Sequence, residues 1–300
     1  MSALVFLTER AAYLPGTNNM GVVVAPDKTA IAIDTGIDKE AGRTLRRACE
    51  AAGLQLAAVV STHHHADHIG GNDYLVRNIP GLSVWAPTAE AAYIEDPLLE
   101  PIYLSLGAAP LAALKNKFVY ATPAPVHHRF EAGYIQVLGV PLEIVAIPGH
   151  SRAQVAVVVD DVCYAADGFF GAHVLAKYGV PYAHDVAAQV ASLAVLAAVP
   201  VSQWIPGHGV CVDRAGVTET LAANQAAIAH SRALVVAALQ TAHTLPAVVA
   251  AVQQALGMPS SAVAQYMVFS SGIQAYLNWL VADGAATVTL GPGGLEWRAV

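Results

Sequence analysis

STHHHADHIGG, residues 61–71, places four histidines and one aspartate in the six positions from His63 to His68. Histidine is a weak helix former and is costly to bury unpaired, so a cluster this dense needs something to satisfy its imidazole nitrogens. The apolar run that leads into it, LAAVVST (56–62), reads as a buried strand, and Gly70-Gly71 closes it before a helix-like segment. On an extended segment residues i and i+2 point the same way, so His63 and His65 face one side and can hold one metal ion. Asp67 and His68 fall where the strand turns into a helix, displaced enough to reach a second ion. His64 points the opposite way and is read as a non-ligand. A histidine-rich surface loop is the plain alternative, but such tracts are repetitive and unstructured, and this one is framed by a strand and a glycine pair.

Working outward, three more candidate ligands each follow a strand-like apolar run: His150 in EIVAIPGH, Asp167 in VCYAAD and His208 in QWIPGH. Taken singly, a Pro-Gly-His is a turn with a surface histidine, and an aspartate after a strand is a helix cap. Their joint occurrence carries more weight. In an α/β sheet, functional groups gather at the carboxyl ends of strands, so these termini are expected to converge on one edge. The rest of the chain supports such a sheet. GVVVAPDKTAIAIDTG (21–36) predicts a hairpin around Pro26-Asp27-Lys28, 38–53 a helix, 82–87 a strand, and 88–119 an irregular, partly helical stretch. Strands follow within 134–150 and 154–168, then an alanine-rich helix over 185–198. Strand-rich blocks joined by helices make this an α/β protein.

From residue 215 the pattern changes. Helices are expected over 217–242, 245–256 and about 259–282, with breaks at Gly257 and Ser270–Gly272. ATVTLGPGGLEWRAV (286–300) then reads as two short strands. The division is a catalytic region 1–213 and a mostly helical, winged-helix-like C-terminal appendage 214–300.

Apolar residues make up 55% of the chain and charged ones 12%, which excludes disordered and coiled-coil classes. No apolar run reaches the ~18–20 residues a bilayer span needs. The start, MSALVFLTERAAYLPG, lacks the pattern of a secretory signal. Cys49, Cys163 and Cys211 are scattered, without a C-x-x-C, and read as reduced thiols. A soluble cytoplasmic protein without membrane contact is expected. Net charge is −7 with only 15 Lys plus Arg, and between 215 and 300 the only basic side chains are Arg232 and Arg298. That argues against a nucleic-acid partner, whose affinity comes from phosphate neutralisation, and for a small-molecule substrate.

The ordered set THHHADH, PGH, AAD and PGH resembles the metallo-β-lactamase-fold hydrolase superfamily, glyoxalase II-like members included, over about residues 15–213. The resemblance implies a four-layer αββα sandwich with a dinuclear metal site at one edge. It implies His63, His65 and His150 as ligands of the first ion and Asp67, His68 and His208 as ligands of the second. Asp167 would bridge both, and Asp34, in AIDTG, would support the site from below. Two divalent ions per chain are expected, zinc by default, with iron or manganese also suited to imidazole and carboxylate. Ions ~3.5–4 Å apart can share a water, lower its pKa from 15.7 toward about 7 and clamp a developing oxyanion. The nucleophile expected is a metal-bridging hydroxide, with Asp67 orienting it and accepting its proton. The absence of a G-x-S-x-G elbow, a Walker loop and a G-x-G-x-x-G fits this. A net site charge of about +1 suits an anionic or carbonyl-containing substrate, a small thioester, lactone or related ester.

The loop after Asp167 borders the site, which makes Phe170, His173, Lys177, Tyr178, Tyr182 and His184 candidate substrate contacts. Residues 92–119, with Tyr93 and Tyr103, form a candidate lid, and Lys117 reads as a solvated surface charge. The tail is assigned to dimerisation, as a homodimer, or to pocket closure. Two further readings stay open. One is a persulfide dioxygenase-like enzyme with a single iron on His63, His150 and Asp167. The other is a phosphodiesterase or nuclease that uses the tail to bind nucleic acid.

Overall fold

Side chains along Thr29–Ile33 alternate between two cores: Ile31 and Ile33 face a second sheet, whereas Ala30 and Ala32 face helices. The computed structural model, which describes residues 3–300, builds the first sheet from seven strands in sequence order. They are β1 (Val5–Phe6), β2 (Ala11–Leu14), β3 (Met20–Val24), β4 (Thr29–Ile33), β5 (Gln55–Val60), β6 (Ser83–Pro87) and β7 (His128–Phe130). The β3–β4 hairpin turns where Pro26-Asp27-Lys28 predicts it, with the Asp27 carboxylate accepting from the Thr29 amide at 2.9 Å. From β4 to β7 the strands run parallel, joined by helices. Helices α1 (Lys39–Ala51), capped by Asp38, and α3 (Asn72–Asn78) cover the outer face through Leu45, Cys49 and Leu75. Between them lies a single turn, α2 (Ala66–Ile69), and beyond β6 come α4 (Thr88–Glu95) and α5 (Leu99–Leu104).

The second sheet has six strands in the order β13-β12-β11-β10-β9-β8: β8 (Gly133–Val137), β9 (Val140–Ala146), β10 (Val155–Val159), β11 (Val162–Ala166), β12 (Gln203–Pro206) and β13 (Val212–Asp213). Its strands β10 and β11 are buried on both faces, as their near-continuous Val and Ala runs predict. One face meets the first sheet. Tyr164 crosses that interface, its hydroxyl donating to the carbonyl of Ala12 at 2.9 Å, and its ring occupies the space a side chain at Gly21 would need. The other face is covered by α7 (Val186–Ala198) and, beyond it, α8 (Arg214–Ala238), α9 (Leu245–Leu256) and α10 (Val263–Ala282), while α6 (Ala172–Tyr178) leaves the edge. The layers are therefore helix, sheet, sheet, helix. A terminal hairpin, β14 (Ala286–Gly291) and β15 (Gly294–Ala299), completes the chain.

The C-terminal region departs from expectation at one point. Ser270–Gly272 does not break a helix: α10 runs unbroken through it. A mid-helix glycine costs about 1 kcal/mol against alanine. Burying Ile273, Tyr276, Leu277 and Leu280 returns roughly 1.5–3 kcal/mol each, so packing decides. Gly257 does end α9, in the left-handed conformation that suits glycine. Among the described residues the cysteines are free and no helix is long and apolar enough to cross a membrane.

Topology explains where the chemistry gathers. Strands β4 and β5 are parallel, and β9, β11 and β12 share one direction, since β9 and β11 each run antiparallel to β10 and β12 parallels β11. Asp34, the 61–68 segment, His150, Asp167 and His208 each leave the carboxyl end of one of these five strands.

Candidate metal centre

Four histidines at this edge have Nδ1 engaged by a neighbouring group. His68 Nδ1 donates to Asp34 Oδ2 at 2.8 Å, His208 Nδ1 to the Thr17 carbonyl at 2.8 Å, and His150 Nδ1 to the Tyr182 carbonyl at 3.2 Å. The Thr62 hydroxyl donates to Asp34 Oδ2 at 2.7 Å, so its oxygen accepts from His63 Nδ1 at 3.0 Å. Four Nε2 atoms consequently turn inward. His65 turns Nδ1 inward, 2.8 Å from His150 Nε2. Two lone pairs this close require a proton or a cation between them.

The inward atoms form two groups, each with its potential ligand atoms within 4.8 Å of one another: His63, His65 and His150, and Asp67, His68 and His208. Asp167 lies between them. One carboxylate oxygen is 3.3 Å from His150 Nε2 and 3.7 Å from His208 Nε2, and the other is 3.3 Å from His68 Nε2. His63 Nε2, His68 Nε2 and Asp167 Oδ1 are buried without a hydrogen-bond partner. Buried polar atoms are rarely left so, and three in one place, all ligand types, fit a bound cation. A third possible group, Asp34 with His63 and His68, is less suited, because the Asp34 oxygens already accept from the Thr62 amide, the Thr62 hydroxyl and His68.

Electrostatics point the same way. Burial drives the pKa of His63 and His65 well below the ordinary imidazole value and lowers that of His150, which favours neutral rings. Burial opposes charge on His68 and His208 as well, but the surrounding aspartates outweigh it: Asp167 and Asp34 raise His68, and Asp167 with Asp67 pushes His208 up to about 9. Asp67 and Asp167 are held far below the usual carboxylate range despite burial, chiefly by His68 and His208. Three carboxylates converge here and draw positive charge to the cluster, from the His68 and His208 imidazoles or from a bound cation.

Glycine shapes the floor. A Cβ on Gly207 would collide with Asp167 Oδ1 and come within 2.7 Å of the His68 ring. Asn19 ties this loop down, its amide donating to the carbonyls of Pro206 and Gly209 at 2.9 and 2.8 Å. Next to it, Asn18 donates to Asp67 Oδ2 at 2.9 Å.

Of the expected substrate contacts, two stand beside the cluster. The Phe170 ring lies 5.6 Å from that of His150, and the Tyr182 ring 5.5 Å from His150 and 5.8 Å from His65. The Asn224 amide of α8 pins both backbone groups of Phe170. His184 is exposed; its amide bonds the His150 carbonyl, and its ring faces Tyr103 at 6.4 Å. His173, Lys177 and Tyr178 sit on the exposed side of α6, where the Lys177 ammonium lies 4.7 Å over the Tyr178 ring. Lys117 pairs with Asp38 at 3.0 Å. Tyr103 of α5 meets Ser271 of α10 at 2.9 Å, which ties the candidate lid to the tail.

Sequence reasoning missed Asn18, Thr62, Glu90 and Glu100. Asparagines and a threonine in loops read as turn formers, and the glutamates carried no local signal. Glu90 is wholly buried and bonds His64; Glu100 is part-buried, and burial pushes its carboxyl up to about 7.

A sandwich of two sheets between helices, with histidines and carboxylates converging on one edge, defines a class of metal-centred proteins. Residues 13–208 match the family described as "Metallo-beta-lactamase superfamily", and the chain belongs to it. It is 28% identical over 153 residues to a hydroxyacylglutathione hydrolase of Xanthomonas oryzae pv. oryzae, a match that covers 51% of this chain and 47% of that one. A hydroxyacylglutathione hydrolase of Xylella fastidiosa is 27% identical over 184 residues, 61% and 56% of the two chains. The chain thus spans about half the length of the curated relatives it matches. Among solved structures, a beta-lactamase domain protein from Burkholderia ambifaria aligns over 99% of this chain and 93% of its own, with TM-score 0.71 and 20% identity. A metallo-beta-lactamase family protein from Thermus thermophilus aligns over 100% and 98%, with TM-score 0.69 and 18% identity. These two likenesses establish the fold.

Proposed function

We propose that the chain is a dinuclear metallohydrolase that cleaves a small thioester, lactone or related ester. The observation that carries this reading is the common inward aim of five imidazole lone pairs and two aspartates, with Asp167 between the two groups. His63, His65 and His150 would hold one ion, Asp67, His68 and His208 the other, and Asp167 both; zinc is the first candidate. When bound, the ions supply an activated water and a clamp for the negative charge that develops on the carbonyl oxygen. The side chains do the rest. Asp67, steadied by Asn18, orients the attacking water and takes up its proton. Asp34 keeps His68 in the tautomer that leaves Nε2 free. Phe170 and Tyr182 wall the acyl group and exclude bulk water. Residues 1–213 carry the chemistry in this reading, and 214–300 close the pocket, a role that the Tyr103–Ser271 and Phe170–Asn224 contacts support. The match to hydroxyacylglutathione hydrolases supports a thioester among the substrates.

The deciding experiment is elemental analysis of the purified protein together with a panel of thioesters, lactones, phosphodiesters and β-lactams. Two zinc ions per chain and turnover of a thioester or lactone are expected. A chelator should abolish that turnover, added zinc should restore it, and His65→Ala should lower it by at least about 100-fold, as expected for a lost ligand. One iron per chain with oxygen consumption would replace the reading.

A further inference from the structure

We propose that Glu90 is a positioning residue that sets the distance between the two loops carrying His63, His65 and His150. Glu90 lies on α4, away from both loops in sequence, and its carboxylate is wholly buried. Oε2 accepts from the His64 backbone amide at 3.2 Å and also bonds the His64 ring nitrogen Nδ1. Oε1 accepts from the Ser151 hydroxyl at 2.9 Å and from the Ala153 amide at 2.6 Å. One oxygen therefore grips the 61–68 segment between His63 and His65, and the other grips the segment that begins at His150. Tyr93, one turn further along the same helix, stacks on the His64 ring at 4.2 Å and holds it against the carboxylate. His64 thereby serves as the latch of the cluster and not as a ligand.

The device is asymmetric. Asp67, His68 and His208 are steadied by Asn18, Asp34 and Thr17, none of which touches Glu90. Across the gap that Glu90 spans, His65 Nδ1 and His150 Nε2 stand 2.8 Å apart. A cation seated there needs that separation held to a fraction of an ångström, since groups that orient a ligand commonly govern affinity about 10–100-fold. If Glu90 were only a satisfied buried carboxylate, its loss would weaken the fold and both groups alike.

This inference rests on the metal reading, and calorimetric titration of the metal-free chain with Zn²⁺ separates the two. Wild type binding two ions in resolvable steps sustains the metal reading whatever the variants do; wild type binding none removes both ideas. In Glu90→Gln, one of the two steps should weaken by about 10–100-fold while the other stays within about twofold. The visible absorption of the Co²⁺-loaded protein should shift, and the circular dichroism of the metal-free chain should be retained. Unchanged affinity at both steps, or equal weakening of both, overturns the proposal. Should Glu90→Gln fail to fold, Ser151→Ala, which removes one of the four bonds, decides by the same criterion: selective weakening of one step supports the role of Glu90, and two unaltered steps refute it.

Discussion

At the scale of single residues, the site depends on groups whose value lies in what they fix. Asp34 adopts φ +60°, a left-handed conformation that aspartate and asparagine tolerate better than alanine. From there it accepts three bonds, from the Thr62 amide, the Thr62 hydroxyl and His68 Nδ1. Asp34→Ala would orphan those buried donors at about 1–3 kcal/mol each and add strain. A loss of at least about 3 kcal/mol is expected, read as a fall in the urea midpoint, with Asp34→Asn losing clearly less. Glu100 is the converse case, a carboxyl that folding places badly. Burial raises its pKa from 4.5 to about 7, with Asp67 and Glu90 adding to the rise. A folded pKa above the unfolded one means stability is full below about pH 4.5 and is lost as pH climbs through about 7. The shift caps the loss at about 3 kcal/mol, and partial exposure reduces it to about 1–2. Glu100→Gln should therefore leave the melting temperature nearly unchanged at pH 4 and raise it at pH 8, and an equal change at both values would contradict the assignment.

At the scale of elements, α10 shows how packing outranks local propensity. Ser270-Ser271-Gly272 reads as a break, yet the helix continues because Ile273, Tyr276 and Leu277 bury their side chains just beyond it. A Cβ on Gly272 would meet only the Tyr182 ring, at 3.6 Å, an ordinary contact. Gly272→Ala should then stabilise the protein by about 0.5–1 kcal/mol, visible in thermal unfolding. A broken or hinged helix at this point would show no gain. The same contrast between local and distant causes governs what the sequence makes legible. Four of the five strand ends could be read because apolar runs stop abruptly before His63, His150, Asp167 and His208, and in an α/β sheet functional groups gather at the carboxyl ends of strands. Glu90 and Asn18 could not be read, because their partners arrive through tertiary approach from distant segments. Proximity in sequence misleads as well. His173, Lys177 and Tyr178 follow Asp167 closely, but α6 turns that side of the chain to solvent once Asn224 has pinned Phe170.

At the scale of the whole molecule, the tail behaves as the fourth layer of the sandwich. Beyond its first residue the tail has two basic side chains, and both are engaged in ion pairs, Arg232 with Asp283 and Arg298 with Glu296, which leaves no cationic stripe for a polyanion. Its apolar face is engaged too. Val217, Leu221, Ile228, Tyr276 and Leu280 share one continuous core with Ile147, Cys163, Leu193 and Trp204 of the second sheet and α7. At the start of α8, Arg214 caps the end of α7 and the loop that follows it, donating to the carbonyls of Ala197, Val199 and Val201, and its guanidinium lies 4.3 Å over the Trp204 ring. A chain ended after Asp213 would turn this core outward. Stripped apolar surface of more than a few hundred Å² drives association, and several lost side chains at roughly 1.5–3 kcal/mol each are comparable with the roughly 5–15 kcal/mol by which domains are stable. The truncated chain is expected to be recovered aggregated, or to bind a hydrophobic dye strongly without a cooperative melt. A soluble 1–213 fragment that melts cooperatively near the full-length midpoint would show that the second sheet does not need these helices, and that pocket closure is their whole contribution.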